Sequence, residues 1–297
     1  MVSAGCATPL SALKARTEVP TEAGPFTVQY GPGDEAGVQK IQIALEHASP
    51  KLSRWGGLRD RVTMRVMPSH ELLEKAVNRE GYDWLRAWAK YDEVFIQTPK
   101  TWSLFGAQQG DVDELVLHEL THCVMYQASA SRTSWTRKQI PLWFREGMAS
   151  YTAKQAYRWP SLEELAKYLE SDPSRDPITA PESLYQKDND IVYGAAHHAF
   201  TFLVNRYGED RVREILAKMG TGGDFPGAFK KAIGVEPEIF TNDFKRYLRM
   251  RGFRGGRVIH RASPVMLPPG TSLELTPPPG QVNAISALPN LPGCQLP

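Results

Sequence analysis

The sequence predicts an α+β fold, with a mixed α/β N-terminal half and a mostly helical C-terminal half. Two observations carry this. Short strand-like stretches near residues 26–30, 62–67 and 93–97 are separated by helical patterns, which is how a sheet covered by helices reads. From Asp111 onward, apolar residues recur at helical spacing in one segment after another, as far as about residue 251. With 297 residues, 41% hydrophobic and 23% charged, the chain can build one large domain or two modest ones around a real core.

Taken in order, residues 1–24 are small, polar and proline-containing, and read as a leader or linker. Phe26 to Tyr30 alternates as a strand, and Gly31-Pro32-Gly33 turns the chain. Asp34 stands where a helix cap is expected, before a helix to about Leu52 with Val38, Ile41, Leu45 and Ala48 on one face. Val62 to Met67 is a second strand, and Ser69 caps a short helix through Val77. Glu93 to Gln97 is a third strand, with Val94 and Ile96 facing away from Phe95. Asp111 and Glu114 have capping-box spacing before an apolar helix through about Gln127. Pro141 suits the first turn of a helix through about Tyr157. Further helices fit 161–170, 189–206, 209–219, 225–233 and 236–251, the last ended by Gly252. From 262 to 297 prolines are dense and periodicity is lost, so this tail reads as extended or disordered. The expected domain is 25–261, with an α/β part at 25–128 and a helical part at 129–261.

A net charge of +2 gives no strong field toward nucleic acid or an acidic partner, and no nucleic-acid partner is expected. The basic run from Lys245 to Arg261 reads as a solvated face favoured by a helix C-terminus, with a membrane surface as the alternative. Cys6, Cys123 and Cys294 make no disulfide framework, and no cysteine spacing fits a structural zinc site. Ser3-Ala4-Gly5-Cys6 has two readings: a chance run of small residues, or the end of a bacterial lipobox whose cysteine is lipidated. The second would give membrane-surface association through Cys6 and a periplasmic or cell-envelope location; the first leaves a cytoplasmic one open.

The central signal is His118-Glu119-Leu120-Thr121-His122. On a helix, residues four apart share a face, so both imidazoles can meet one ion with Glu119 beside them. Leu115, Val116, Leu117, Leu120, Cys123, Val124 and Met125 make this helix apolar nearly all round, so it is buried. Buried histidines and a buried glutamate are costly unless paired or ligated; the plainer reading is a core helix whose histidines satisfy local hydrogen bonds. Zinc needs a third protein ligand and an open fourth position. An extension of the same run to a glycine and a third histidine is excluded, because those places hold Met125 and Ala128. Glu146, an acid among Trp143, Phe144 and Met148, is the candidate. Gly147 and Ala149 beside it are small enough to let two helices approach closely.

The combination H-E-L-T-H followed by P-L-W-F-R-E-G-M-A-S-Y at 141–151 resembles the peptidase-MA-like gluzincins of bacteria. Tyr193-Gly194-Ala195-Ala196, the stretch from Phe202 to Gly208, and Ala232-Ile233-Gly234 are similar to that family's C-terminal helical region, so the likeness covers roughly 25–250. It implies a two-part zincin with the metal-binding helix at the junction, zinc as cofactor, and hydrolysis of peptide or protein substrates. It departs at one place: where thermolysin-like gluzincins carry an aspartate four residues after the glutamate ligand, this chain has Ser150. Metal-bound histidines usually need such an acceptor, so a backbone carbonyl or another acid must serve.

The expected roles follow. His118, His122 and Glu146 hold the metal, and Glu119 is the general base toward a water activated by it. Gluzincins commonly draw an oxyanion donor from a downstream helix; Tyr193 matches the family's tyrosine, and His197 lies one turn on, with His198 also a candidate. The strand from Glu93 to Gln97, last before the helix, is expected to pair with substrate, with Trp102 and Phe105 lining the cleft or anchoring the loop. The function so expected is a zinc metallopeptidase; the alternative is an inactive pseudopeptidase serving as a binding module of the cell envelope.

Overall fold

The computed structural model describes residues 9–172, 174–184 and 188–253. Its N-terminal half is built on a five-stranded sheet in the order β1 (Ala15–Val19), β2 (Phe26–Tyr30), β3 (Thr63–Met67), β5 (Glu93–Gln97), β4 (Ala87–Ala89). β2, β3 and β5 run parallel, while β1 and β4 close the two edges antiparallel. Parallel neighbours require crossovers, supplied by α1 (Glu35–Leu52) after β2 and α2 (His70–Val77) after β3. The alternation splits the sheet as expected. Val28, Met64, Val66, Val94 and Ile96 enter the main core with Val38, Ile41 and Leu45 of α1. Met67 and Phe95 face the other side, against Leu73 and Val77 of α2. Ser69 caps α2, accepting from the Leu72 N–H.

The rest is helical: α3 (Gln109–Ser129), α4 (Leu142–Thr152), α5 (Leu162–Ser171), α6 (Asn189–Tyr207), α7 (Glu209–Gly220), α8 (Phe225–Ile233) and α9 (Pro237–Phe253). α3 packs on α1 and β4 from one side and on α4 and α7 from the other, so it is the seam between the halves. α4 lies tightly on α6. A Cβ on Gly147 would fall 2.4 Å from the Ala196 carbonyl oxygen and 2.6 Å from Phe200 Cβ, so any side chain there must force the two helices apart. Trp143 and Phe144 on α4 anchor an aromatic core with Phe200, Phe225, Phe229 and Phe240.

Several local expectations are corrected. Residues 15–19, expected within a linker, form β1; its outward charges Arg16 and Glu18 pair with each other and mask the strand pattern. β4 is only Ala-Trp-Ala, too short to show a strand period in the sequence. β5 is therefore an interior strand, and β4 is the edge. Asp34 makes no side-chain cap; its buried carboxylate pairs with Lys100 at 2.5 Å. Asp111 and Glu114 form no capping box, because α3 starts earlier, at Gln109, and both acids turn to Arg158. α4 stops at Thr152 rather than near Tyr157: Lys154 takes φ +59°, and a single tight turn over Gln155–Arg158 follows. α9 runs through Gly252. In the basic run, Lys245 pairs with Asp176 and Arg246 with Asp243. Cys6 and the lipobox-like residues before it, Cys294, Arg254, Arg257, Arg261 and the tail 262–297 lie outside the described residues. Among those described, no helix is long and apolar enough to cross a membrane.

Candidate metal centre

α3 is apolar nearly all round and buried from Leu115 to Ser129, so whatever it carries is removed from water. His118 and His122, four residues apart, point their Nε2 atoms at one place, 3.3 Å from each other. Glu146 comes from α4, and its Oε2 lies 3.4 Å from each of those nitrogens. Among the described residues, this is the group of histidine and acid side chains that could hold a metal ion. His118, Glu119, His122 and Glu146 are 3%, 0%, 1% and 1% exposed.

The spacing tests which ion fits. A tetrahedral ion bound at about 2.0–2.1 Å holds its ligand atoms roughly 3.3–3.4 Å apart, which are the three edges found here. The donor set, two imidazoles and one carboxylate, is that of a zinc site with a fourth position to spare. Glu146 Oε2 has no hydrogen-bond partner, and neither carboxylate oxygen of Glu119 has one. Three buried carboxylate oxygens without a hydrogen-bond partner, beside two imidazole nitrogens that face each other, cost several kcal/mol unless something positive meets them, on the order of what a buried unpaired polar group costs each. The residues fit zinc.

In the metal-free protein the charges are strongly coupled. Burial alone would raise Glu146, but His122 and His118 hold its carboxyl well below the usual carboxylate range. His118 moves up: burial opposes its protonation, and Glu146 and Glu119 outweigh that. His122 moves down, chiefly through burial. Glu119 is pushed by burial up to about 8, with Glu146 adding to the rise and His118 opposing it; the Ala89 backbone of β4 lies against it.

That last shift has a sign that can be checked without metal. A carboxyl raised on folding favours the folded state while it keeps its proton, so its contribution is full below the ordinary 4.5 and is lost as pH climbs through about 8. Metal-free Glu119→Gln, which cannot ionise, is therefore expected to melt on the order of 5 °C above metal-free wild type at pH 8–9, and close to it at pH 5. Thermal denaturation of both apoproteins across that range is the check; parallel curves at all pH values would show that Glu119 is not the strained acid.

Tyr193 and His197 are both buried on α6. The Tyr193 ring stacks on Trp159, and His197 Nδ1 lies 2.9 Å from Ser150 Oγ, one turn after Glu146. Burial pushes His197 down to about 4, so it is neutral. His198 Nε2 bonds the Pro160 carbonyl oxygen at 2.9 Å. Trp102 is a buried anchor, its indole N–H donating to the Gln97 carbonyl oxygen, whereas Phe105 is 93% exposed. Three residues at the centre were not foreseen. Gln155 Oε1 stands 2.9 Å from His118 Nδ1. Tyr126, one turn after His122 and roughly parallel to its ring, lies beside Arg145, whose Nε is 3.6 Å from Glu146 Oε1. The i+4 spacing from His122 and adjacency to Glu146 were the available signals for Tyr126 and Arg145.

A family model described as the peptidase MA superfamily matches residues 107–250, the stretch that holds α3, α4 and His118, His122 and Glu146. The uncharacterized protein YhcO of Bacillus subtilis (strain 168) is 26% identical over 133 residues, which is 44% of this chain and 40% of YhcO. The chain thus spans less than half the length of that relative. The mixed sheet with its helical C-terminal half accords with a peptidase MA fold.

Proposed function

We propose that this chain, whose residues 107–250 form a peptidase-MA-like segment, is a zinc-dependent metallopeptidase. The observation that carries the reading is the triangle of His118 Nε2, His122 Nε2 and Glu146 Oε2, with edges of 3.3, 3.4 and 3.4 Å, and the unpartnered Glu119 carboxylate buried next to it. Zinc bound there supplies a Lewis acid for the scissile carbonyl and lowers the pKa of water to near neutrality. Glu119 takes the proton from the attacking water and returns it to the leaving amine. A nearby dication favours its carboxylate form, so the protonated state of the metal-free protein gives way to the base.

An extended peptide is best met by β4, which is antiparallel, at the sheet edge and adjacent to Glu119 through Ala89, rather than by the interior strand β5. Retention of a base beside the ligands speaks against a metal-loaded but inactive binding module, which has no need of one. Digestion of a broad peptide library by the zinc-loaded protein tests the reading; no cleavage from fully loaded protein would favour the binding module.

For the oxyanion, Tyr193 is the first candidate donor and His197 the second. Tyr193→Phe is expected to lower kcat by roughly ten- to a thousandfold with KM nearly unchanged, since the hydroxyl would meet charge present only in the transition state. Steady-state kinetics on Tyr193→Phe and His197→Ala rank the two. A silent Tyr193→Phe would leave Tyr193 as the packing partner of Trp159.

A further inference from the structure

We propose that Gln155 is the positioning residue that presents His118 to the metal, and that Glu114, held by Arg158 and Tyr157, fixes the direction in which the Gln155 amide points. The inference rests on the metal-centre reading above and adds a residue to it that no spacing rule supplies.

An imidazole ligates through a nitrogen that carries no proton, so the other nitrogen must carry it and needs an acceptor. The position where the resemblance would place an aspartate is Ser150, and Ser150 is committed elsewhere. Its Oγ accepts from Trp159 Nε1 at 2.8 Å and bonds His197 Nδ1 at 2.9 Å. His118 turns to Gln155 instead, with Nδ1 2.9 Å from Oε1 and Gln155 fully buried.

A glutamine alone does not settle a tautomer, because its amide can offer either end. Here the far end decides. Gln155 Nε2 lies 3.0 Å from Glu114 Oε1. The Glu114 carboxylate also receives Arg158 Nε at 2.5 Å and the Tyr157 hydroxyl at 2.6 Å. A carboxylate so loaded with donors is an acceptor, so the amide must turn its NH2 toward it. Its oxygen then faces His118, Nδ1 is the protonated nitrogen, and the lone pair is left on Nε2, the atom that meets His122 and Glu146. The backbone makes this reach possible. α4 ends early, Lys154 enters the left-handed region, and the turn Gln155–Arg158 folds back over the first half of α3. One short turn thus delivers Gln155, which accepts from His118, together with Tyr157 and Arg158, which hold Glu114 in place behind it.

The test is zinc affinity, by chelator competition, on wild type and three variants, with circular dichroism of each. Gln155→Met keeps the length of the side chain and removes the acceptor; zinc should bind roughly ten- to a hundredfold more weakly. Glu114→Gln frees the amide to reverse and should cost roughly three- to tenfold by the same route. The double variant Glu114→Gln/Gln155→Glu reverses the polarity: the amide at 114 donates to a carboxylate at 155, which accepts the His118 N–H. It should return to within about threefold of wild type. A side chain that merely fills space would tolerate methionine and gain nothing from the reversal. Wild-type affinity in Gln155→Met, or a double variant as weak as Gln155→Met, would overturn the inference. Failure of wild-type protein to bind zinc would instead overturn the metal-centre reading, and this inference with it.

Discussion

Glu119→Gln is expected to keep one zinc per chain and to lose roughly 10²–10⁴-fold in turnover, the usual worth of a positioned general base. Retention of the metal follows from the ligand set, because the atoms that converge are His118 Nε2, His122 Nε2 and Glu146 Oε2, and Glu119 is none of them. Retention of the fold follows from shape. The side chain is fully buried, no other side chain bonds it, and the Ala89 backbone that lies against it can still meet the amide oxygen, so an amide of equal size fits without losing a partner. Removing the raised carboxyl should even stabilise the metal-free protein above neutral pH. What the amide cannot do is take a proton. The loss should therefore fall on kcat, with KM nearly unchanged. Peptide turnover and zinc content measured on the same preparation decide it. Undiminished turnover would mean that another group is the base.

His118→Ala, His122→Ala and Glu146→Ala should each weaken zinc binding by at least roughly a hundredfold, since three protein ligands leave none to spare. Glu146 is the most informative of the three, because it comes from α4 and closes the site across the seam between two helices. Its replacement also leaves His118 and His122 buried without the carboxylate that balances them, so Glu146→Ala should be less stable even without metal. Zinc titration with circular dichroism separates the two effects. Full zinc affinity in Glu146→Ala would place the third ligand elsewhere.

How much of this was legible in the sequence depends on how local each feature is. His118, Glu119 and His122 are fixed by the period of one helix, and their spacing gives their placement directly. Glu146 was legible for a different reason: an acid inside an apolar helix face calls for a positive partner. The strands at 26–30 and 93–97 have the predicted bounds because alternation sets both their length and their faces. The failures are non-local. Asp111 and Glu114 have the right spacing for a cap, but Arg158, more than forty residues away, competes for both. Gln155 looked like one more helix residue; its role appears only once Lys154 breaks α4 and the turn reaches α3. β4 is too short to show a period, and without it β5 looked like an edge. The sequence points to an acid or a backbone carbonyl as the partner of a ligand histidine's ring. An amide whose direction is set by a third residue cannot be read from spacing.

X-ray absorption at the zinc edge of the reconstituted protein tests the metal centre most directly. The spectrum should show two imidazoles and oxygen donors at about 2.0–2.1 Å with no sulfur shell, and one imidazole fewer in His122→Ala. Zinc bound through sulfur, or without any imidazole signal, would contradict the assignment of His118, His122 and Glu146 as its ligands.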